Sequence, residues 1–246
     1  MIFYSLSDTG KTRKDNQDSV YANALNDSCA LFIVADGMGG YQGGKMASSM
    51  AVDIISAFVE DKFEVNMKSD EIYELLQDAI RAANAKIYQK SMQDNSLSGM
   101  GTTVVAALVS GKTLYTASVG DSREYLFASN RLYQITKDHS LVADLVSRGI
   151  ITTEEAKNHS QKNVITRAVG TEDTVIADGY ITDINNDDIV LICSDGLHTM
   201  VSDEEISAVL KSNFDDAAAK LIDKANEYGG KDNISVITVK ISDEVK

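Results

Sequence analysis

Leu31-Phe32-Ile33-Val34-Ala35-Asp36-Gly37 and Val190-Leu191-Ile192-Cys193-Ser194-Asp195-Gly196 share one pattern: an apolar run that ends on Asp-Gly. A short continuous apolar run bounded by a turn former reads as a strand buried on both faces. Near the C-terminus the order inverts, and Asp232-Asn233 precedes Ile234-Ser235-Val236-Ile237. In an antiparallel sheet the end of one strand lies beside the start of its neighbour. Asp36, Asp195 and Asp232 can therefore meet at one edge. Three carboxylates there repel one another and raise each other's pKa unless a cation neutralises them. All-oxygen ligands select a hard ion, Mg²⁺ or Mn²⁺, and glycine after the aspartate lets a backbone carbonyl approach it.

Working outward, further strands are expected at 2–7, 19–24, 102–109, 112–119, 123–128, 131–136, 174–184 and 234–241. Hairpin turns fall at 109–112 and 128–131. Two helices are marked by stripes at 3.6-residue spacing: Ala47, Met50, Ala51, Ile54 and Phe58, then Ile72, Leu75, Leu76, Ala79, Ile80, Ala83 and Ile87. Thr152 with Glu155 and Ser202 with Glu205 form capping boxes that open helices. A last helix carries Phe214, Ala217, Ala218, Leu221, Ile222 and Ala225 and stops at Gly229-Gly230. Hairpin-linked strands imply antiparallel pairing, and the helices come in pairs rather than alternating with strands. The fold expected is therefore α+β, with sheets covered by helices. No linker or repeat divides the chain, so residues 1–246 read as one domain.

Composition narrows the function. The 37 acidic and 23 basic side chains give a net charge of −14, which disfavours nucleic acid and anionic membranes as partners. There is no proline, so turns fall to Gly, Asn and Asp. The start lacks the apolar core of a signal peptide and no apolar run spans a bilayer, so a soluble cytoplasmic protein is expected. Cys29 and Cys193 sit in apolar runs and read as buried thiols. Neither is followed by the arginine loop of a cysteine-dependent phosphatase.

Other segments offer chemistry. Arg13-Lys14-Asp15-Asn16-Gln17-Asp18 supplies a planar phosphate-gripping fork in Arg13 and a further hard ligand in Asp18. Gly120-Asp121-Ser122-Arg123 follows a strand and offers Asp121. Asp178-Gly179 reads as a plain turn. Gly39-Gly40-Tyr41-Gln42-Gly43-Gly44-Lys45 has the spacing of a P-loop, which would suit a nucleotide hydrolase. Met46, however, stands where a hydroxyl should bind Mg²⁺, and the neighbouring elements are hairpins. His139 has no nucleophile elbow beside it, and His159 and His198 fall in polar stretches expected to be exposed.

Taken in order, Arg13…Asn16-Gln17-Asp18, Val34-Ala35-Asp36-Gly37-Met38-Gly39-Gly40, Gly99-Met100-Gly101-Thr102-Thr103, Val119-Gly120-Asp121-Ser122-Arg123, Ile165-Thr166-Arg167-Ala168-Val169-Gly170, Ser194-Asp195-Gly196-Leu197 and Lys231-Asp232-Asn233-Ile234-Ser235 resemble the bacterial type 2C metal-dependent (PPM) protein phosphatases, from end to end. The resemblance implies a sandwich of two antiparallel β-sheets flanked by pairs of α-helices, and hydrolysis of phosphoserine and phosphothreonine in proteins. It implies two Mn²⁺ or Mg²⁺ ions and a third, weaker one. Asp36, Asp195 and Asp232 would hold the first, Asp36 and the Gly37 carbonyl the second, with Asp18 beside it, and Asp121 would serve the third. Arg13 would bind phosphate, a metal-activated water would attack, and residues 138–170 would form a flap. Implied partners are phosphorylated proteins, including a bacterial Ser/Thr kinase and its substrates, acted on by a monomer. Two departures stand out. Met38 occupies the place of a histidine proposed as general acid in animal relatives, and Gln17 replaces their glutamate. A catalytically silent phosphoprotein-binding module on the same fold is the alternative.

Overall fold

The computed structural model describes residues 1–242; residues 243–246, the end of the expected domain, lie outside the described part. In chain order the elements are β1 (Ile2–Asp8), β2 (Asp18–Asn26), β3 (Cys29–Met38), α1 (Gly40–Lys62), α2 (Ser69–Gln93), a 3₁₀ turn (Asn95–Leu97), β4 (Gly101–Thr102), β5 (Val104–Ser110), β6 (Thr113–Val119), β7 (Arg123–Ala128) and β8 (Arg131–Gln134). They continue with α3 (Leu141–Ser147), α4 (Thr153–Lys157), β9 (Asp178–Asp183), β10 (Ile189–Cys193), α5 (Asp195–His198), α6 (Asp203–Ser212), α7 (Ala217–Glu227) and β11 (Ile234–Lys240).

The strands form two sheets. One has the order β1-β11-β10-β7-β8; the other runs β2-β3-β5-β6-β9, with β4 added to the end of β3. Every named pairing is antiparallel. Side chains alternate across a strand, which explains the all-apolar runs. On β3, Phe32 and Val34 enter a core shared with Val190, Ile192, Ile237 and Val239 of the other sheet. Leu31, Ile33 and Ala35 face Ala47, Ile55, Leu76 and Ile80 of α1 and α2. On β10, Leu191 and Cys193 face Leu197, Ile206, Leu210 and Leu221 of α5 to α7. The result is the expected four-layer sandwich. Burying each large apolar side chain in it contributes about 1.5–3 kcal/mol.

Most elements fall where the sequence puts them. The capping boxes at Thr152–Glu155 and Ser202–Glu205 form, and Gly229 and Gly230 end α7 at positive φ. Both cysteines are free and buried. Three expectations need correction. The strand expected at 174–184 is paired only over Asp178–Asp183. Asp178-Gly179 is not a turn but the start of that strand, and a Cβ on Gly179 would lie 2.3 Å from the Tyr73 ring. The segment 138–170 contains an additional helix, α3, capped by the Ser140 hydroxyl accepting from Ala143 N–H; seven residues are too few to show a periodicity.

Candidate active site

The site is built where both sheets end. Asp18 opens β2 and lies directly opposite Asp36, near the end of β3. In the other sheet β10 pairs with β11 from Cys193 opposite Val236, so Asp195 just after β10 and Asp232 just before β11 leave the same end. Asp121 sits between β6 of one sheet and β7 of the other. The sequence-derived aspartates are thus brought to one end of the sandwich by register and topology.

The site is cross-braced between sheets. The Ser194 and Ser235 hydroxyls donate to Asp18 Oδ2 at 2.8 and 2.7 Å. Asp36 is fixed through its main chain: its N–H donates to Thr103 Oγ1 at 3.0 Å, and its carbonyl accepts from Thr103 N–H and the Thr102 hydroxyl, both at 2.9 Å. This explains why the strand expected at 102–109 is broken at Thr103, whose hydroxyl replaces a ladder acceptor. Asn233 ties the β1–β2 loop down, donating to Thr9 and Asp15 carbonyls and accepting from Gln17 N–H at 2.9 Å. The sequence reading gave none of Ser194, Ser235, Thr103 or Asn233 a role. Their signal was only their place inside the quoted motifs.

Electrostatically the cluster is strained. Burial, then the charges of Asp18, Asp195, Asp121 and Asp232, hold the Asp36 carboxyl well above the usual range. Asp195 is pushed up to about 8 by burial and then by Asp121 and Asp232. Asp121 is raised to about 6 by burial and then Asp138. Burial also raises Asp18, against the pull of its two serines. Among the described residues, Asp18 Oδ1, Asp121 Oδ1 and Asp195 Oδ1 are buried with no hydrogen-bond partner. Buried acceptors that lack a donor are costly, and clustered carboxylates with spare lone pairs fit a hard divalent cation. The carboxylates do not already form a finished shell. Among the described residues no group of three His, Cys, Asp or Glu is arranged to hold an ion, since Asp232 turns to Arg13 and Asp18 to the serines.

A cleft of about 490 Å³ opens on the cluster, lined by Arg13, Gln17, Asp36, Gly37, Met38, Asp195, Asp232 and Asn233, with Asn163 and Ile165 from the 138–170 segment. Arg13 Nη2 is 2.7 Å from Asp232 Oδ2. Asp18 and Asp121 lie behind this lining, 2 % and 7 % exposed. The segment behind Asn163 is anchored by Arg167, which bonds Asp178 Oδ1 at 2.6 Å, while His139 Nε2 is 3.1 Å from Asp178 Oδ2.

The reading against a P-loop holds, and the expected exposure of two histidines fails. The P-loop-like string does not form a phosphate loop: Gly40 to Lys45 is helix, and Lys45 Nζ donates to the Asp18 carbonyl at 2.9 Å. A Cβ on Gly37 would lie 2.1 Å from the Gly44 carbonyl oxygen, so these glycines let α1 press against the end of β3. Nor are His159 and His198 exposed. Both are half-buried, and His198 Nε2 lies 2.9 Å from the Asp121 carbonyl oxygen.

Comparison with known proteins agrees with this fold. Residues 11–236 match the family model for protein phosphatase 2C. The chain is 40 % identical over 236 residues to the serine/threonine phosphatase stp of Listeria monocytogenes, covering 95 % of this chain and 93 % of that protein. The serine/threonine phosphatase PstP/Ppp of Mycobacterium tuberculosis superposes with a TM-score of 0.89 at 36 % identity, covering 98 % of each chain. The catalytic domain of PstP in complex with two manganese ions superposes with a TM-score of 0.85 at 35 % identity, covering 99 % of this chain and 98 % of that one. With the expected sandwich and an acidic cleft at its end, the chain belongs to the protein phosphatase 2C family.

Proposed function

We propose that the cleft at the end of the sandwich is where this metal-dependent phosphoprotein phosphatase hydrolyses phosphoserine and phosphothreonine. Asp36, Asp195 and Asp232 would hold one Mn²⁺ or Mg²⁺ ion. Asp36 and the Gly37 carbonyl would hold a second with Asp18 beside it, and Asp121 a third, weaker one. The observation that carries this reading is the set of orphaned buried oxygens on Asp18, Asp121 and Asp195 behind a cleft that also presents Arg13. Bound ions supply positive charge for the phosphoryl group and acidify an attacking water.

The protein's own groups do the rest. Arg13 offers its guanidinium fork to two phosphoryl oxygens, which orients the ester. To do so it must exchange its ion pair with Asp232 for the substrate. The pair is more than a third exposed on both sides, so it is weak and the exchange is cheap. Ser194 and Ser235 hold Asp18 with one oxygen occupied and the other free. Asn233 holds the loop that carries Arg13. Met38 has no proton to give, so the leaving alkoxide takes its proton from water. No cysteine or histidine lines the cleft, which fits direct hydrolysis without a phosphoenzyme.

The chain works as one domain, with 138–170 acting as a flap whose Asn163 and Ile165 meet the substrate. The protein works as a monomer in the cytoplasm on phosphorylated proteins, opposing a Ser/Thr kinase. No helix among the described residues is long and apolar enough to cross a membrane. The test is Mn²⁺-dependent hydrolysis of a phosphothreonine peptide. Activity is expected to vanish with EDTA and in Asp195→Ala. Survival of either treatment would refute the site, and Mn²⁺ binding without turnover would favour the silent module.

A further inference from the structure

We infer that His198 is a positioning residue: it holds the main chain of Asp121 so that the Asp121 carboxylate faces the cluster, and so sets the affinity of the weakest divalent-cation site. This rests on Asp121 being a ligand, as proposed above. His198 closes α5, the four-residue helix that Asp195 opens. Residues three apart on a helix lie on the same side, so one turn of chain carries a cluster carboxylate at one end and the imidazole at the other. Imidazole Nε2 lies 2.9 Å from the Asp121 carbonyl oxygen. A carbonyl only accepts, so Nε2 carries the proton and donates.

The Asp121 carbonyl is held by His198, while the residues on either side are held elsewhere. The neighbours of Asp121 are held on the other flank: Gly120 N–H donates to His139 Nδ1 at 3.0 Å and its carbonyl accepts from His139 N–H at 2.9 Å. Ser122 shares a 2.7 Å hydroxyl contact with Thr103. His198 reaches Asp121 from the helix that follows β10 and carries Asp195. It thereby couples a loop joining the two sheets to the helix that presents Asp195. Asp121 Oδ1 is buried and unpartnered, so no side chain holds that oxygen, and the main chain fixes where it starts from. Groups that orient a metal ligand commonly change metal affinity by about 10–100-fold when removed.

The test is calorimetric titration of metal-free protein with Mn²⁺, compared across His198→Phe, His198→Gln and Asp121→Asn, with thermal unfolding confirming that each folds. Phe keeps the ring volume and loses the donor; Gln keeps an N–H at similar reach. His198→Phe is expected to weaken the weakest Mn²⁺ site by about tenfold or more and leave the tighter sites unchanged, whereas His198→Gln stays within about threefold of the parent. If His198→Phe binds Mn²⁺ like the parent, or Gln is as weak as Phe in a folded protein, the role given to His198 is wrong. If Asp121→Asn itself leaves the weakest site intact, the reading of Asp121 fails, and the inference with it.

Discussion

At the end of β3 the chain stays extended through Asp36-Gly37 and pairs Gly37 with Thr102 of β4. At the end of β10 the strand stops at Cys193 and Asp195-Gly196 turns into α5. The same dipeptide after the same kind of apolar run thus continues a strand in one sheet and starts a helix in the other. What the two ends share is the purpose of the glycine. A Cβ on Gly37 would lie 2.1 Å from the Gly44 carbonyl oxygen, and one on Gly196 2.0 Å from that of Asn233. In each case another backbone occupies the space a side chain would need. The dipeptide therefore marks a carboxylate beside a close backbone approach, and its local conformation is free to differ.

The sharpest way to break this comparison is to neutralise each aspartate. Asp36→Asn and Asp195→Asn should each lower turnover of a phosphothreonine peptide by about 10³-fold, the upper scale for losing one preorganised charge-stabilising group. The two should differ in metal count. Asp36 is assigned to both main ions and Asp195 to one, so Asp36→Asn should lose both from a Mn²⁺ isotherm and Asp195→Asn should keep one. Equal losses would show that the ends are not distinct.

Next in size are the glycines. Gly37→Ala and Gly196→Ala should each cost about 3 kcal/mol by urea unfolding, since neither backbone neighbour can yield as a side chain could. Gly111→Ala, in the β5–β6 hairpin at φ 59° with nothing within 4 Å of the added Cβ, should cost only about 1 kcal/mol from backbone strain. If all three cost the same, the close-approach argument is lost.

The serines come third. Ser194 and Ser235 reach Asp18 from the β10 side of the sandwich. Removing either by Ser→Ala should weaken Mn²⁺ binding by about tenfold, while the fold, read by circular dichroism, stays intact. Unchanged affinity would mean the hydroxyls only relieve Asp18.

A last comparison separates a functional acid from a merely buried one. Glu124 lies opposite Ile192 of β10, is 0 % exposed and has one oxygen unpartnered. Burial pushes it up to about 8, against the pull of Thr116. Its folded value exceeds the ordinary 4.5, so the folded state holds a proton the unfolded chain has lost. Stability should therefore be highest below about pH 4.5 and fall towards pH 8 by about 1 kcal/mol per pH unit from this group. Glu124→Gln should flatten that slope between pH 5 and 8 in urea unfolding. Mn²⁺ should not, because Glu124 lies outside the cleft. A slope that survives the substitution must come from the aspartates instead.

Much of this was legible in the chain. Apolar runs at 29–35 and 189–193 announced strands covered on both faces, and the stripes from Ile72 to Ile87 announced α2. Legibility failed where an element spans only about two turns, as in α3, and where a tertiary partner decides the outcome. Asp178 looked like a turn residue because Asp-Gly commonly is one. It became an anchor because Arg167 and His139 arrive there from the 138–170 segment. Gly40 to Lys45 had P-loop spacing, yet the packing of Gly44 against Gly37 draws it into helix. Serines 194 and 235 looked like ordinary strand residues, because nothing local tells a hydroxyl that a carboxylate from the opposite sheet will face it.

By itself the sequence determined the layers, the strand ends and the residue types at the site, because alternation, helical spacing and apolar runs are properties of neighbouring positions. The tertiary structure decided which strand ends meet, which glycines carry a foreign carbonyl against them, and which oxygens are left without a donor. Those are relations between residues as far apart as Asp18 and Ser235. They exist only once register and sheet packing have set the distance between them.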